Sequence, residues 1–224
     1  LCMGESFKPE MVAGHSLGEF SALVACEAIS FEDGLKLVYK RAMAMQKACE
    51  STPSTMAAII GLSDEVIENI CLEVSTPDNI VVAANYNCPG QVVISGNIDA
   101  VNKACEKLKE AGAKRALPLV VSGPFHSSLM QKAAHNLKNT VEKLILQEPK
   151  IPVVSNVTSE LLTSVESIKQ EMVAQVTSSV KWEQNIEKLI AEGVTIFIEC
   201  GPGKVLSGLV KKIDRNVQTY CVYD

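Results

Sequence analysis

Gly14-His15-Ser16-Leu17-Gly18 is the stretch on which the fold reading turns. It has the G-x-S-x-G spacing of a nucleophile elbow, in which a serine occupies a strained strand-to-helix turn. Glycine is expected at both ends, because a side chain on either flank would clash in so tight a turn. The neighbours suit the motif. Met11-Val12-Ala13-Gly14 reads as the end of a short buried strand, and 17–28 as an apolar-rich helix. Ser16 then stands at a helix N-terminus. The Leu17 backbone N–H would point at the oxyanion that forms when a serine attacks a carbonyl. The same five-residue pattern also occurs in ordinary glycine-rich turns, so the rest of the chain has to decide.

Outward from the elbow, 31–49 reads as a second helix, with Leu35, Val38, Ala42, Met45 and Cys49 at helical spacing. Glu32 and Asp33 fall in its first turn, where acidic groups suit the helix dipole. Ser51-Thr52-Pro53-Ser54 breaks the pattern. Strand signals at 57–61, 80–84, 91–95 and 116–121 then alternate with amphipathic helices at 64–74 and 99–111. That β-α-β-β-α-β order is the ferredoxin-like unit. It predicts an inserted ferredoxin-like subdomain over 55–121, bracketed by Pro53 and by Gly123-Pro124. The flanking segments, 1–54 and 122–224, would form an α/β core. In the second of these, helices are expected at 129–146, 167–176, 186–191 and 205–212, with strands at 152–155 and 195–199. Strands alternating with helices imply a mostly parallel sheet.

Composition narrows the function classes. Of 224 residues, 47% are apolar and 21% charged, enough for a sizeable core and unlike a disordered chain. A net charge of −5 disfavours a broad basic surface for nucleic acid or anionic lipid. No apolar run reaches the ~18 residues of a membrane span. The stretch Leu1-Cys2-Met3-Gly4-Glu5 has no charged-then-apolar targeting pattern. Eight cysteines are spread evenly without a C-x-x-C pair, several inside apolar patterns. They are expected to be reduced thiols in a cytoplasmic protein. Three histidines without ligand spacing speak against a zinc site.

A nucleophilic serine needs a base. His15 adjoins Ser16, but adjacent side chains on such a turn diverge. His135 lies among Lys and Asn on a helix and reads as a surface residue. His126, in Ser122-Gly123-Pro124-Phe125-His126-Ser127, precedes a helix whose N-terminus would disfavour the imidazolium. It is either the base or a structural histidine in a turn. Arg41 falls opposite the face of Lys36, Lys40 and Lys47, between Val38 and Met45. A guanidinium on an apolar face needs an anionic partner. It is either a structural salt bridge or a clamp for a substrate carboxylate. Gly201-Pro202-Gly203-Lys204 reads as a plain turn and lacks Walker A spacing.

These residues, taken in order, resemble a known family. The elbow with Glu19, Arg41, the run from Asn87-Cys88-Pro89-Gly90-Gln91 to Gly96, Gly123-Pro124-Phe125-His126-Ser127, Gln175-Val176-Thr177-Ser178-Ser179-Val180-Lys181-Trp182, and Glu199-Cys200-Gly201-Pro202-Gly203 are similar to those of malonyl-CoA:acyl carrier protein transacylases of type II fatty acid synthesis. The resemblance implies a hydrolase-like α/β core carrying the ferredoxin-like subdomain, that Ser16 becomes a malonyl ester and that His126 is its base and later an acid. It implies that Gln175 orients His126 through a carbonyl, and that Leu17 gives an oxyanion N–H. Arg41 would pair with the malonyl carboxylate, Asn87 would line the cleft, and Phe125 fits the malonyl-selective pattern. No metal or redox cofactor is implied, coenzyme A entering only as a thioester substrate. The acidic carrier protein would need a local basic patch, for which Lys114-Arg115 and Lys211-Lys212 are candidates. In the family the elbow follows a first strand and a Gly-Gln loop that supplies a second oxyanion donor. Here it begins at Gly14, so the N-terminal part of the core is expected to be missing from these residues.

Two other readings stay open at this level. One is a serine hydrolase or thioesterase on the same elbow, against which Arg41 and the inserted unit count. The other is a truncated, non-catalytic relative that only binds the acyl carrier.

Overall fold

The computed structural model describes residues 7–121 and 123–222. The stretch read for a targeting pattern, Cys2 and Ser122 lie outside the described residues. The chain runs through α1 (Leu17–Ala25), α2 (Phe31–Cys49), β1 (Ser54–Ile60), α3 (Asp64–Val74), β2 (Val81–Cys88), β3 (Gln91–Asn97), α4 (Ile98–Glu110) and β4 (Arg115–Pro118). A 3-10 turn, Ser128–Met130, leads into α5 (Gln131–Val141), β5 (Val153–Val154), β6 (Leu161–Leu162) and α6 (Val165–Ala174). The chain ends with α7 (Trp182–Ala191), β7 (Ile196–Glu199), α8 (Val205–Ile213) and β8 (Gln218–Cys221). Among the described residues no helix is long and apolar enough to cross a membrane.

Local chemistry starts several of these elements. Ser30 caps α2 by accepting the Asp33 N–H at 3.1 Å. Ser164 and Ser167 form a reciprocal capping box at the start of α6. Helix α5 stops earlier than its apolar pattern suggests. The N–H groups of Gln147 and Lys150 bond instead to Ala28 O at 3.0 Å and Cys26 O at 2.9 Å, drawing the chain back against the end of α1.

Helices α1, α2, α5 and α6 pack around Phe20, Leu23, Leu37, Met130, Leu137, Ile168 and Met172. Burying each such side chain is worth about 1.5–3 kcal/mol. The buried face of α2 differs from the expected one. Gly34, Leu37, Arg41, Met45 and Ala48 point inward, while Leu35 is 62% exposed. Apolar residues occur all round this helix, so periodicity alone does not select the inward face.

Strands β1 to β4 form one antiparallel sheet in the order β2-β3-β1-β4. Helices α3 and α4 cover one face through Ile67, Val101 and Leu108 against Ala57, Ile59, Val92 and Ile94. The other face carries Met56, Ala84 and Val93, packed by Leu119 and Phe125. The register shifts between Ala83 and Asn85. This bulge puts Ala84 and Asn85 on the second face together, and Asn87 follows them. The Val180 N–H bonds Ala84 O at 2.8 Å, and the Tyr86 N–H bonds Val180 O at 2.9 Å, stitching β2 to the segment after α6.

The remaining strands do not form one continuous sheet among the described residues. β5 and β6 pair antiparallel, β7 and β8 parallel, and Val12 meets Val153 in a single parallel bridge. The strand expected to end at Gly14 is thus represented by that bridge. Helices α7 and α8 pack there through Trp182, Ile186, Leu189, Leu209 and Val210. Cys26, Cys71, Cys88 and Cys105 are buried free thiols that act as small apolar side chains.

Candidate active site

The elbow is strained where a nucleophile would sit. Ser16 has φ 52° and ψ −103°, a conformation costing about 1–3 kcal/mol outside glycine. A Cβ on Gly14 would lie 1.9 Å from the Gly18 carbonyl carbon, so that glycine is obligatory. A Cβ on Gly18 would meet nothing within 4 Å, which corrects the expectation of a clash on both flanks. Asn156 holds the turn. Its Oδ1 accepts the Ser16 N–H at 2.8 Å, and its Nδ2 donates to Gly14 O at 2.7 Å. Leu17 opens α1, and its N–H has no acceptor among the described residues. Such orphan donors at a helix start are suited to a developing oxyanion.

Ser16 Oγ lies 2.8 Å from His126 Nε2. The Nδ1 of His126 lies 2.9 Å from Gln175 O and 3.1 Å from Ser178 O. Both oxygens are backbone carbonyls and can only accept. Nδ1 therefore carries the proton, and Nε2 is left to accept the serine hydroxyl. Burial lowers the imidazole pKa to about 4, with the Arg41 and His15 charges adding and the Gln175 carbonyl opposing. Burial is the largest of the causes that keep this ring neutral. His126 itself has φ 57°.

Arg41 is only 6% exposed and projects from α2 across the elbow. Its Nη2 donates to Ser16 Oγ at 3.0 Å and to Gln175 Oε1 at 2.9 Å. The guanidinium lies 5.2 Å from the centre of the Phe20 ring. Among the described residues it forms no salt bridge, and its buried Nε has no acceptor. The structural salt bridge open at the sequence level is therefore absent among the described residues. Burial pulls the Arg41 pKa down to about 10, against the pull of Glu19, so the group stays charged at neutral pH.

The other candidates fall around this centre. His15 turns away from Ser16. Its Nε2 lies 2.8 Å from Asn87 Oδ1, and its ring packs 5.5 Å from that of Trp182. Burial lowers its pKa. His135 is exposed on α5. A cavity of about 470 Å³ opens between the helical layer and the second face of the sheet. Ser16, His126, Arg41, Asn87 and Phe125 all line it, joined by Met45, Met56 and Val93. Lys114, Arg115, Lys211 and Lys212 are exposed and apart from this lining.

Sequence reasoning missed the layer beneath. The Gln175 side chain, fully buried, donates from Nε2 to Ser16 O at 2.9 Å and to Glu19 Oε2. Glu19 Oε1 accepts the Asn156 N–H at 2.8 Å. Burial, and then neighbouring Glu171, raises the Glu19 pKa well above the usual carboxylate range. Glu171 accepts from Ser155 Oγ at 2.6 Å and from the Val157 N–H at 3.1 Å. One signal was available: Glu19 and Glu171 each sit on the apolar face of a helix, beside Phe20 and Met172.

The sequence matches the acyl transferase domain family over residues 1–222. It is 50% identical over 216 residues to a malonyl CoA-acyl carrier protein transacylase of Bacillus subtilis strain 168, covering 96% of this chain and 68% of that protein. The structure superposes with a TM-score of 0.94 on an acyl-carrier-protein S-malonyltransferase of Burkholderia pseudomallei 1710b, 46% identical, covering 100% of this chain and 72% of that one. It also superposes, with a TM-score of 0.95, on a malonyl-transacylase solved in complex with its type II PKS acyl-carrier protein. That pair is 42% identical and covers 98% of this chain and 71% of the other. The chain belongs to the malonyl CoA-acyl carrier protein transacylase family of acyl transferases.

Proposed function

We propose that this chain transfers the malonyl group of malonyl-CoA to the phosphopantetheine thiol of an acyl carrier protein, in fatty acid biosynthesis, through a malonyl ester on Ser16. His126 Nε2 takes the Ser16 hydroxyl proton as Oγ attacks the thioester carbonyl. The Leu17 N–H receives the oxyanion of the tetrahedral intermediate. The C–S bond then breaks, and the imidazolium returns its proton to the departing coenzyme A sulfur. The carrier thiol repeats the cycle in reverse: it gives its proton to His126, attacks the ester and releases Ser16. Gln175 positions His126 through its backbone carbonyl, and Asn87 shapes the cleft beside His15. Each step moves only a proton and an acyl group, so the thioester is the sole coenzyme the chemistry calls for.

The corresponding fold reading is a hydrolase-like α/β core over 1–54 and 122–224, with a ferredoxin-like subdomain over 55–121. The element order and the β2-β3-β1-β4 sheet support it. Free thiols fit a cytoplasmic setting. Exposed Lys114-Arg115 and Lys211-Lys212 are the basic groups offered to an acidic carrier.

Arg41 carries the substrate assignment. A buried guanidinium that touches the serine oxygen and, among the described residues, is in no ion pair is placed for a carboxylate brought by the acyl group. Acyl hydrolysis by the same elbow would need no such cation. Arg41→Ala should weaken malonyl transfer by about 2–5 kcal/mol, the range for breaking a buried charge pair. Acetyl transfer should stay unchanged or improve. Parallel assays with malonyl-CoA and acetyl-CoA check this; equal losses for both would show Arg41 to be structural.

A further inference from the structure

A buried cation in a substrate pocket faces a conflict. Left without a counter-ion it is costly to bury, but a carboxylate set directly against it would fill the place a substrate carboxylate needs. Arg41 meets no carboxylate within ion-pair distance among the described residues. It meets an amide instead. Gln175 Oε1 accepts from Arg41 Nη2 at 2.9 Å, while Gln175 Nε2 donates to Ser16 O and to Glu19. The two acceptors on the nitrogen side fix which way the amide points, so its oxygen must face Arg41.

Glu19 is 1% exposed and anchored by the Asn156 N–H at 2.8 Å. It lies against Glu171, which is itself held by Ser155 and Val157.

We propose that Glu19 is a positioning residue for acyl-group selection: by accepting from Gln175 Nε2 it aims the Gln175 amide oxygen at Arg41, fixing the guanidinium while leaving its edge free for an acyl carboxylate. The role rests on the malonyl-transfer reading above. Its consequence can be followed atom by atom. Glu19→Gln turns one carboxyl oxygen into an NH2 group, so either Asn156 N–H or Gln175 Nε2 loses its acceptor. If the Gln175 amide turns over in response, its NH2 faces Arg41 Nη2, donor against donor, and the guanidinium shifts. His126 is unaffected by that turn, because it is held by the backbone carbonyl of Gln175.

The test compares wild type, Glu19→Gln and Glu171→Gln with malonyl-CoA and acetyl-CoA as donors, with melting curves to confirm folding. Glu19→Gln should raise the malonyl KM roughly tenfold or more, with kcat and acetyl kcat/KM within about threefold of wild type. Glu171→Gln disturbs the neighbouring carboxyl but leaves the bonds of Glu19 to Gln175 and Asn156 in place, so the malonyl-to-acetyl ratio should stay near the wild-type value. An unchanged malonyl KM in Glu19→Gln, an equal loss for both donors, or an equal change of ratio in Glu171→Gln would overturn the proposal. Should Glu19→Gln not fold, Glu19→Asp keeps the carboxyl but withdraws it by one methylene; a smaller rise in malonyl KM is then expected, and an unchanged ratio overturns the role. No malonyl transfer by the wild type would overturn both the role and the reading on which it rests.

Discussion

His126 shows how far burial, helped by neighbouring charges, sets the state of a side chain. Its folded pKa of about 4 lies below the ordinary 6.5, so the neutral ring persists well into the acid range. The acylation rate should therefore stay flat from pH 8 down to about pH 5, where an ordinary histidine would already be mostly protonated. Stopped-flow acylation across that range checks this, and a fall centred near pH 6.5 would contradict it. The same shift acts on stability. Because the unfolded ring binds its proton first, this contribution is complete above pH 6.5 and is lost as pH falls through about 4, a change of about 3 kcal/mol. At this scale the sequence was informative where a motif announces itself. Ser16, His126, Gln175 and Arg41 do converge. Asn156 and Glu19 were silent in these roles, because their contacts with the elbow and Gln175 span 140 and 156 residues, which no local pattern encodes.

Helix α2 is the element that brings Arg41 to the elbow, and it was legible as a helix but not in its orientation. Its capped start and its length follow from Ser30 and the helical spacing. The inward face was misplaced because Phe31, Leu35, Tyr39 and Met43, all exposed, compete with the true inward positions for the apolar pattern. Truncation separates the two faces. Leu37, 1% exposed and one turn before Arg41, should cost about 2–5 kcal/mol as Leu37→Ala, whereas Tyr39→Ala, at a 62% exposed position, should stay within about 0.5 kcal/mol. Urea unfolding of both variants measures this, and similar losses would mean that the helix is packed on another face. The bulge in β2 was equally hidden. The strand propensity of 80–84 is plain in the sequence, but a register shift depends on the partner strand. That shift is what turns Asn85 and Asn87 towards the cleft.

Across the whole molecule, the site lies where the helical layer, the four-stranded sheet and the α7–α8 layer meet. The first contributes Ser16 and Arg41, the second contributes Asn87, and the third contributes Trp182 against His15. The segment after α6 joins them, since Ser178 bonds His126 while Val180, two residues on, pairs with β2. Alternation of strands and helices made an α/β fold legible. The shortness of β5 and β6 was not legible, because two-residue pairings leave no periodicity to read. An acyl ester on Ser16 is the point on which all three layers bear, and intact-mass measurement after mixing with malonyl-CoA tests it most directly. The wild-type chain should gain the mass of one malonyl group and lose it on addition of carrier-protein thiol, while Ser16→Ala should gain none. An adduct that persists in Ser16→Ala, or a wild-type chain that gains no mass, would contradict the account.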